Sequence, residues 1–145
     1  MSTAAHAQAG HPHPLKTSLW DWITTTDHKK IGIMYLILAF FSFLVGGLFA
    51  LLVRLQLWQP NAGILAPDVY NQMLTMHATV MIFLAVIPLL TGFGNYAVPL
   101  MLGAKDMAFP RLNNVAFWLG AAAAVVLMSA FAMGGSAAAG WTSYP

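Results

Sequence analysis

The chain has 145 residues, of which 59% are hydrophobic and 7% charged, with a mean hydropathy of +0.72 and a formal net charge of +2. A water-soluble domain of this size has no interior large enough to hide so much apolar surface, so the composition describes an integral membrane protein. The small net charge excludes a nucleic-acid partner, and the absence of cysteine excludes a disulfide framework and a thiolate metal site, leaving histidine and methionine as the soft ligands.

Residues 1–30 are polar and irregular. Their start, MSTAAHAQAGHPHPLK, lacks the charged n-region and apolar core of a signal peptide and reads as a retained tail, with His6, His11 and His13 solvated in it. Trp20 and Trp22 supply amphipathic rings for a membrane interface, and Lys29 and Lys30 form a positive anchor before the first span.

Residues 31–145 are expected to form an all-α membrane domain of three transmembrane helices. The first, Ile31 to Val53, runs 23 residues without a charge and closes on Arg54. Gly32, Ala39, Ser42, Gly46 and Ala50 fall on one stripe of it, suited to close packing of a second helix or to a cofactor tail lying along it. Arg54 stands on the opposite side from the other cations, as a snorkelling arginine or as a fixed donor to a cofactor oxygen. The following loop contains turn formers and a helix restart near Ala66, Pro67 and Asp68.

The second span, about residues 73–101, contains His77 within an apolar run. Two readings stand side by side: an imidazole satisfied by a backbone carbonyl or a neighbouring helix, and a metal ligand, specifically of a heme iron. At about 100° per residue, Val80, Met81, Leu84, Pro88, Thr91 and Asn95 lie on or near the face of His77. Pro88 should bend the helix, and Gly92 and Gly94 permit close approach of a backbone or a flat cofactor.

A short connection, GAKDMAFPRLNN, leads to a third span over about 112–135, alanine-rich from Val115 onward. Lys16, Lys29, Lys30, Lys105 and Arg111 fall on one side of this topology and Arg54 alone on the other, which predicts a cytoplasmic amino terminus. His77 is then near the outer face and Asp106 at the inner one. Asp106 reads either as a helix cap or ion-pair partner of Lys105 or Arg111, or as a proton acceptor with Asn95 and Asn113 ordering water behind it.

Five strings, TDHKKIGIMY (26–35), MHATVMIF (76–83), GFGNY (92–96), PLMLGAKDMAFPRLNN (99–114) and GWTSYP (140–145), resemble subunit I of the heme-copper oxygen reductases of the cytochrome c oxidase type. The resemblance extends from about residue 20 to the end and implies about the first quarter of a twelve-helix oxidase bundle. It implies that His77 is an axial ligand of a low-spin heme, of the a type where Arg54 donates to a formyl group. Asp106 would be the acid at the mouth of the D proton pathway, with Asn95 and Asn113 lining its lower part. It further implies a high-spin heme and copper whose ligands lie on later helices, with cytochrome c as electron donor. The implied partners are the remaining helices of subunit I, oxidase subunits II and III and membrane lipid, in a bacterial inner membrane.

Such a chain alone would not reduce oxygen. Lys105 stands where the family usually has proline, Thr91 where it has glycine, and Gln56 where it commonly has a glutamate, which puts an outer cation site in doubt. The rivals are a quinol oxidase subunit I and, from another class, a non-catalytic membrane scaffold or transporter fragment in which His77 is merely buried.

Overall fold

The computed structural model describes residues 18–144. His6, His11, His13 and Lys16 fall outside the described residues. Within them the fold is helical throughout: a short α1 (Leu19–Ile23), a long α2 (His28–Gln56), α3 (Pro67–Thr79), a π-helical stretch (Val80–Val86), α4 (Ile87–Met101) and α5 (Pro110–Ser129). From Pro67 to Met101 the middle three pieces form one rod of 35 residues, so three helices are long and apolar enough to cross a membrane.

Local chemistry sets the ends. Ser18 and Asp21 form a reciprocal capping box on α1, and the Asp27 side chain accepts from the Lys29 N–H at 2.9 Å to start α2. Pro67 occupies the first turn of α3, where its missing N–H costs nothing, as the restart near residues 66–68 predicts. Beyond Met101, Gly103 adopts φ +64°, a left-handed stop that only glycine takes up cheaply. The third span ends at Ser129, six residues short of the expected Gly135. The apolar run continues, but Gly134 (φ +110°) and Gly135 (φ +134°) have turned out of helical space.

Pro88 does not break the second span. It offers no N–H to the preceding turn, and that turn widens: the Ile87 N–H donates to the Ile82 carbonyl, an i→i−5 bond. Each such turn holds one residue more than an α-turn, so a uniform 100° per residue does not carry across it. The buried line on this rod is Met76, Val80, Leu84, Pro88, Gly92, Asn95 and Pro99. His77 sits one position off it and Thr91 lies outside it.

The packing of α2 against this rod is the frame of the molecule. A Cβ on Gly32 would lie 3.0 Å from the Gly92 carbonyl oxygen, and a Cβ on Gly92 would lie 2.9 Å from the Gly32 carbonyl oxygen. The two backbones thus touch reciprocally. At the other end of α2, a Cβ on Gly46 would meet the Met81 sulfur at 2.8 Å. The stripe of small residues is used for helix packing at these points. Around the frame, Ile31, Met34, Tyr35 and Phe117 form one buried cluster with Tyr35 and Phe117 edge to face at 5.1 Å, and Met76, Val80 and Leu84 form a second.

Gly92→Val should destabilise the assembled protein by about 1–3 kcal/mol, because the added methyls overpack a backbone contact. Gly94→Ala, whose Cβ meets nothing within 4 Å, should stabilise slightly, by up to about 1 kcal/mol of helix propensity. Detergent-titrated unfolding of the two variants measures the difference.

Candidate functional site

The expected site residues separate into two groups at opposite ends of α2. His77, on α3, places Nδ1 2.9 Å from the Gly46 carbonyl oxygen, eighteen positions along α2 from His28, which stands 3.3 Å from Asp106. At 1.5 Å per residue the two ends are about 27 Å apart along the helix axis.

At the first end, a carbonyl oxygen only accepts, so the His77 Nδ1 carries the proton of this bond, and in the neutral ring Nε2 is the nitrogen with the lone pair. This is the tautomer a metal-binding histidine adopts when its second nitrogen is oriented by a backbone carbonyl. It is also a satisfied histidine, and the structural and ligand readings share one geometry. The glycine at 46 lets the Met81 side chain lie directly against α2, since a Cβ there would meet the Met81 sulfur at 2.8 Å and force that side chain to shift.

Arg54 follows Gly46 and Ala50 at four-residue intervals in the last turn of α2, where a cation suits the helix dipole. It is exposed and borders a groove of about 490 Å³ with Leu51, Leu52, Leu55, Leu57 and Trp58. Arg54 and His77 are on one end of the bundle but are not in contact. Beside them the Gln56 Oε1 accepts from the Leu65 N–H at 2.7 Å, so this amide closes the loop between α2 and α3.

At the second end the sequence-nominated polar residues come together. The Asn95 Nδ2 donates to the Asn113 Oδ1 at 3.0 Å, joining α4 to α5, and the Asn113 Nδ2 reaches the Met107 sulfur at 3.3 Å. The Met107 N–H donates to the Asp106 Oδ1 at 2.8 Å, which completes a run from Asp106 to the buried Asn95. Asp106 also borders a groove of about 230 Å³ with Gly94, Val98, Pro99 and Met107 among its walls. It does not cap α5, whose first turn begins at Pro110 without a side-chain cap, and among the described residues its partner within ion-pair distance is His28 rather than Lys105 or Arg111.

Two residues of this end escape a sequence reading. His28 is buried at 2% exposure, although it lies in a string that reads as a polar anchor. Asn114 donates through Nδ2 to the carbonyls of Ile23 (3.1 Å) and Thr25, while the Trp118 Nε1 donates to Ile23 at 3.0 Å. These bonds latch the α1–α2 connection to α5. The doubled asparagine at 113 and 114 signals an amide cluster; which helix faces take it is not written in the string.

The described residues are thus all helical, with three helices long and apolar enough to cross a membrane, an oriented histidine toward one end of α2 and an acid–amide run at the other. The family model described as "Cytochrome C and Quinol oxidase polypeptide I" matches residues 30–145. Subunit 1 of the cytochrome c oxidase of Thermostichus vulcanus is 53% identical over 135 residues, covering 92% of this chain and 24% of that protein. The same subunit of Bacillus sp. (strain PS3) is 52% identical over 126 residues (87% and 20%), and that of Synechocystis sp. 46% identical over 142 residues (98% and 25%). The chain belongs to the cytochrome c and quinol oxidase subunit I family, and it spans about a fifth to a quarter of the length of these relatives.

Asn114→Ala strips the donor from two carbonyls at once. Its expected effect is a loss of about 1–3 kcal/mol in the docking of the α1–α2 connection, read as faster limited proteolysis between Ile23 and Asp27.

Proposed function

We propose that the chain is the amino-terminal part of the catalytic subunit of a terminal respiratory oxidase that takes electrons from cytochrome c, reduces oxygen to water and pumps protons. The observation that carries this reading is the His77 ring, whose Nδ1–H is held by Gly46 and whose Nε2 is thereby presented as a ligand. A low-spin heme, of the a type, supplies one-electron transfer when bound there.

The chain's own residues do the rest of the work assigned to this quarter of the subunit. Gly46 fixes the tautomer and plane of the ligand ring, which raises its basicity and limits its motion. Arg54 would donate from its guanidinium to an oxygen substituent of the heme, the formyl group in an a-type heme. At the other end Asp106 accepts a proton from the inner aqueous phase through its groove, and Asn113 and Asn95 order the water that carries it inward without titrating themselves. Electrons and protons then arrive from opposite faces, which is what charge separation across the membrane requires.

The second heme ligand, the high-spin heme and the copper are assigned to helices beyond these residues, so turnover belongs to the assembled subunit and not to this segment. Its partners are those remaining helices, subunits II and III and cytochrome c, in a bacterial inner membrane with the amino terminus in the cytoplasm. The names of the relatives favour the cytochrome c branch over the quinol branch. A bound quinone in the purified complex, with no copper-containing subunit, reverses that choice.

In the assembled oxidase His77→Ala should abolish the low-spin heme absorbance band while the subunit still inserts; an unchanged spectrum removes the ligand assignment. Asp106→Asn should slow turnover and proton uptake by at least about tenfold with heme content intact, and unaltered uptake removes Asp106 from the proton path.

A further inference from the structure

Beyond Ser129 the chain folds back across α3. The Ser136 N–H donates to the Gln72 Oε1 at 3.1 Å, and the Gly140 N–H donates to the Thr75 Oγ1 at 3.0 Å. Both acceptors are held in turn: the Gln72 Nε2 donates to the Asp68 Oδ2 at 2.9 Å, and the Thr75 Oγ1 donates to the Asn71 carbonyl at 2.8 Å. Thr75 is buried, and its hydroxyl is used once as donor and once as acceptor. The loop is shaped for this contact. Gly135, at φ +134°, lies where a Cβ would come within 3.1 Å of the Gln72 Nε2, and Gly140 turns its N–H to Thr75 at φ +76°.

The anchors stand on one side of α3 and His77 on the other. At about 100° per residue Asp68, Gln72 and Thr75 fall within about 60° of one another, and His77 lies about 160° round from Thr75. The helix is therefore gripped from two sides: Gly46 of α2 takes the His77 ring, and the loop takes Gln72 and Thr75. Phe131, in the turn just after α5, closes the clasp by packing on the buried cluster of Met76, Val80 and Leu84 and against Phe49 at 5.6 Å. Apolar contacts let a helix roll by small steps, whereas hydrogen bonds on both flanks fix its rotation and its height.

Resting on the reading of His77 as a heme ligand, we infer that Thr75, with Gln72, is a positioning residue for that ligand. The loop over 136–140 holds α3 through these two side chains and so sets where the His77 ring stands against Gly46 and where its Nε2 points. Neither side chain touches the imidazole. Their effect reaches it through the rotation of one short helix, and the direction of Nε2 is what a metal bound there senses.

The test uses the complete oxidase assembled with this chain. Thr75→Val keeps the branched shape and strips the hydroxyl, so the Gly140 N–H loses its acceptor. Removing a direct partner of a metal-binding histidine weakens metal affinity by about 10–100-fold. Thr75 acts through the helix and not on the ring, so a smaller change is expected: the low-spin heme band moves and the redox equilibrium of that heme, followed by titration, shifts several-fold. Thr75→Ser retains the acceptor and should keep the parental band and equilibrium. Gln72→Leu removes the other anchor, should shift both in the same way, and replaces Thr75→Val if that variant fails to assemble. A parental band and equilibrium in the variant that assembles, or an equal shift in Thr75→Ser, overturns the inference. His77→Ala run in parallel separates the two readings. If the low-spin band survives it, the ligand assignment fails and this inference with it, whereas if it alone loses the band while Thr75→Val stays parental, only the role of Thr75 falls.

Discussion

The molecule is held in register by two glycines that let backbones touch. Gly32 and Gly92 each leave room for the other's carbonyl oxygen, and neither position accepts a Cβ without moving a main chain. Inside a bilayer the lipid tails are as apolar as leucine, so helices gain little by merely burying side chains against one another. Close approach and dispersion decide which faces meet. Once this contact is made, α2 and the long rod lie antiparallel at fixed height. Gly46 then comes opposite Val80 and Met81, and the His77 ring arrives within hydrogen-bond reach of a carbonyl that already belongs to a helix.

The same frame gathers the hydrogen bonds between helices at two ends. Near the first end Gly46 offers a carbonyl to an imidazole. At the second, α5 supplies two successive asparagines, one turned to Asn95 and Met107, the other to the carbonyls before α2. Between these ends the α2–rod contact is made by Ala39, Ser42, Val80, Leu84 and Ala85, all buried and, apart from one small hydroxyl, apolar.

Much of this was legible in the sequence, for identifiable reasons. Span existence followed from uninterrupted apolar runs, and the restart at Pro67 followed from a proline whose missing N–H is harmless in a first turn. The approach of Asn95, Asn113 and Asp106 was readable because amides in an apolar context need partners and these were the ones within reach. Three features were not. The third helix stops at Ser129 and passes into tightened i→i−3 turns before Gly134 and Gly135 reverse the backbone, while hydropathy continues to Gly135. His28 sits in a string rich in lysine and aspartate that looks solvated, and its burial arises from the fold of α5 against the α1–α2 connection, a contact between distant segments. The glycines at 92 and 94 look equivalent in the string, yet one meets a backbone and the other borders the groove at Asp106.

The π-helical stretch resolves a conflict between the two ends of the second rod. On a regular α-helix each four-residue step drifts by about 40°, so the three steps from Met76 through Val80 and Leu84 to Pro88 would carry the buried line about 120° round the axis. All four positions are nevertheless buried, and from Pro88 onward Gly92, Asn95 and Pro99 continue the line at ordinary α spacing. The wider turn between Val80 and Val86 absorbs the drift, because a turn closed by an i→i−5 bond returns to the same face after more residues than an α-turn does. Pro88, which cannot donate to the turn before it, is the residue that makes this widening cheaper than a regular helix at that point. A residue with a backbone N–H at 88 would let the α-helix continue, and then either Gly92 would lose the backbone of α2 or Val80 and Met81 would lose Gly46. With the widened turn one rod satisfies both contacts, and so keeps His77 and Asn95 seated at their separate ends.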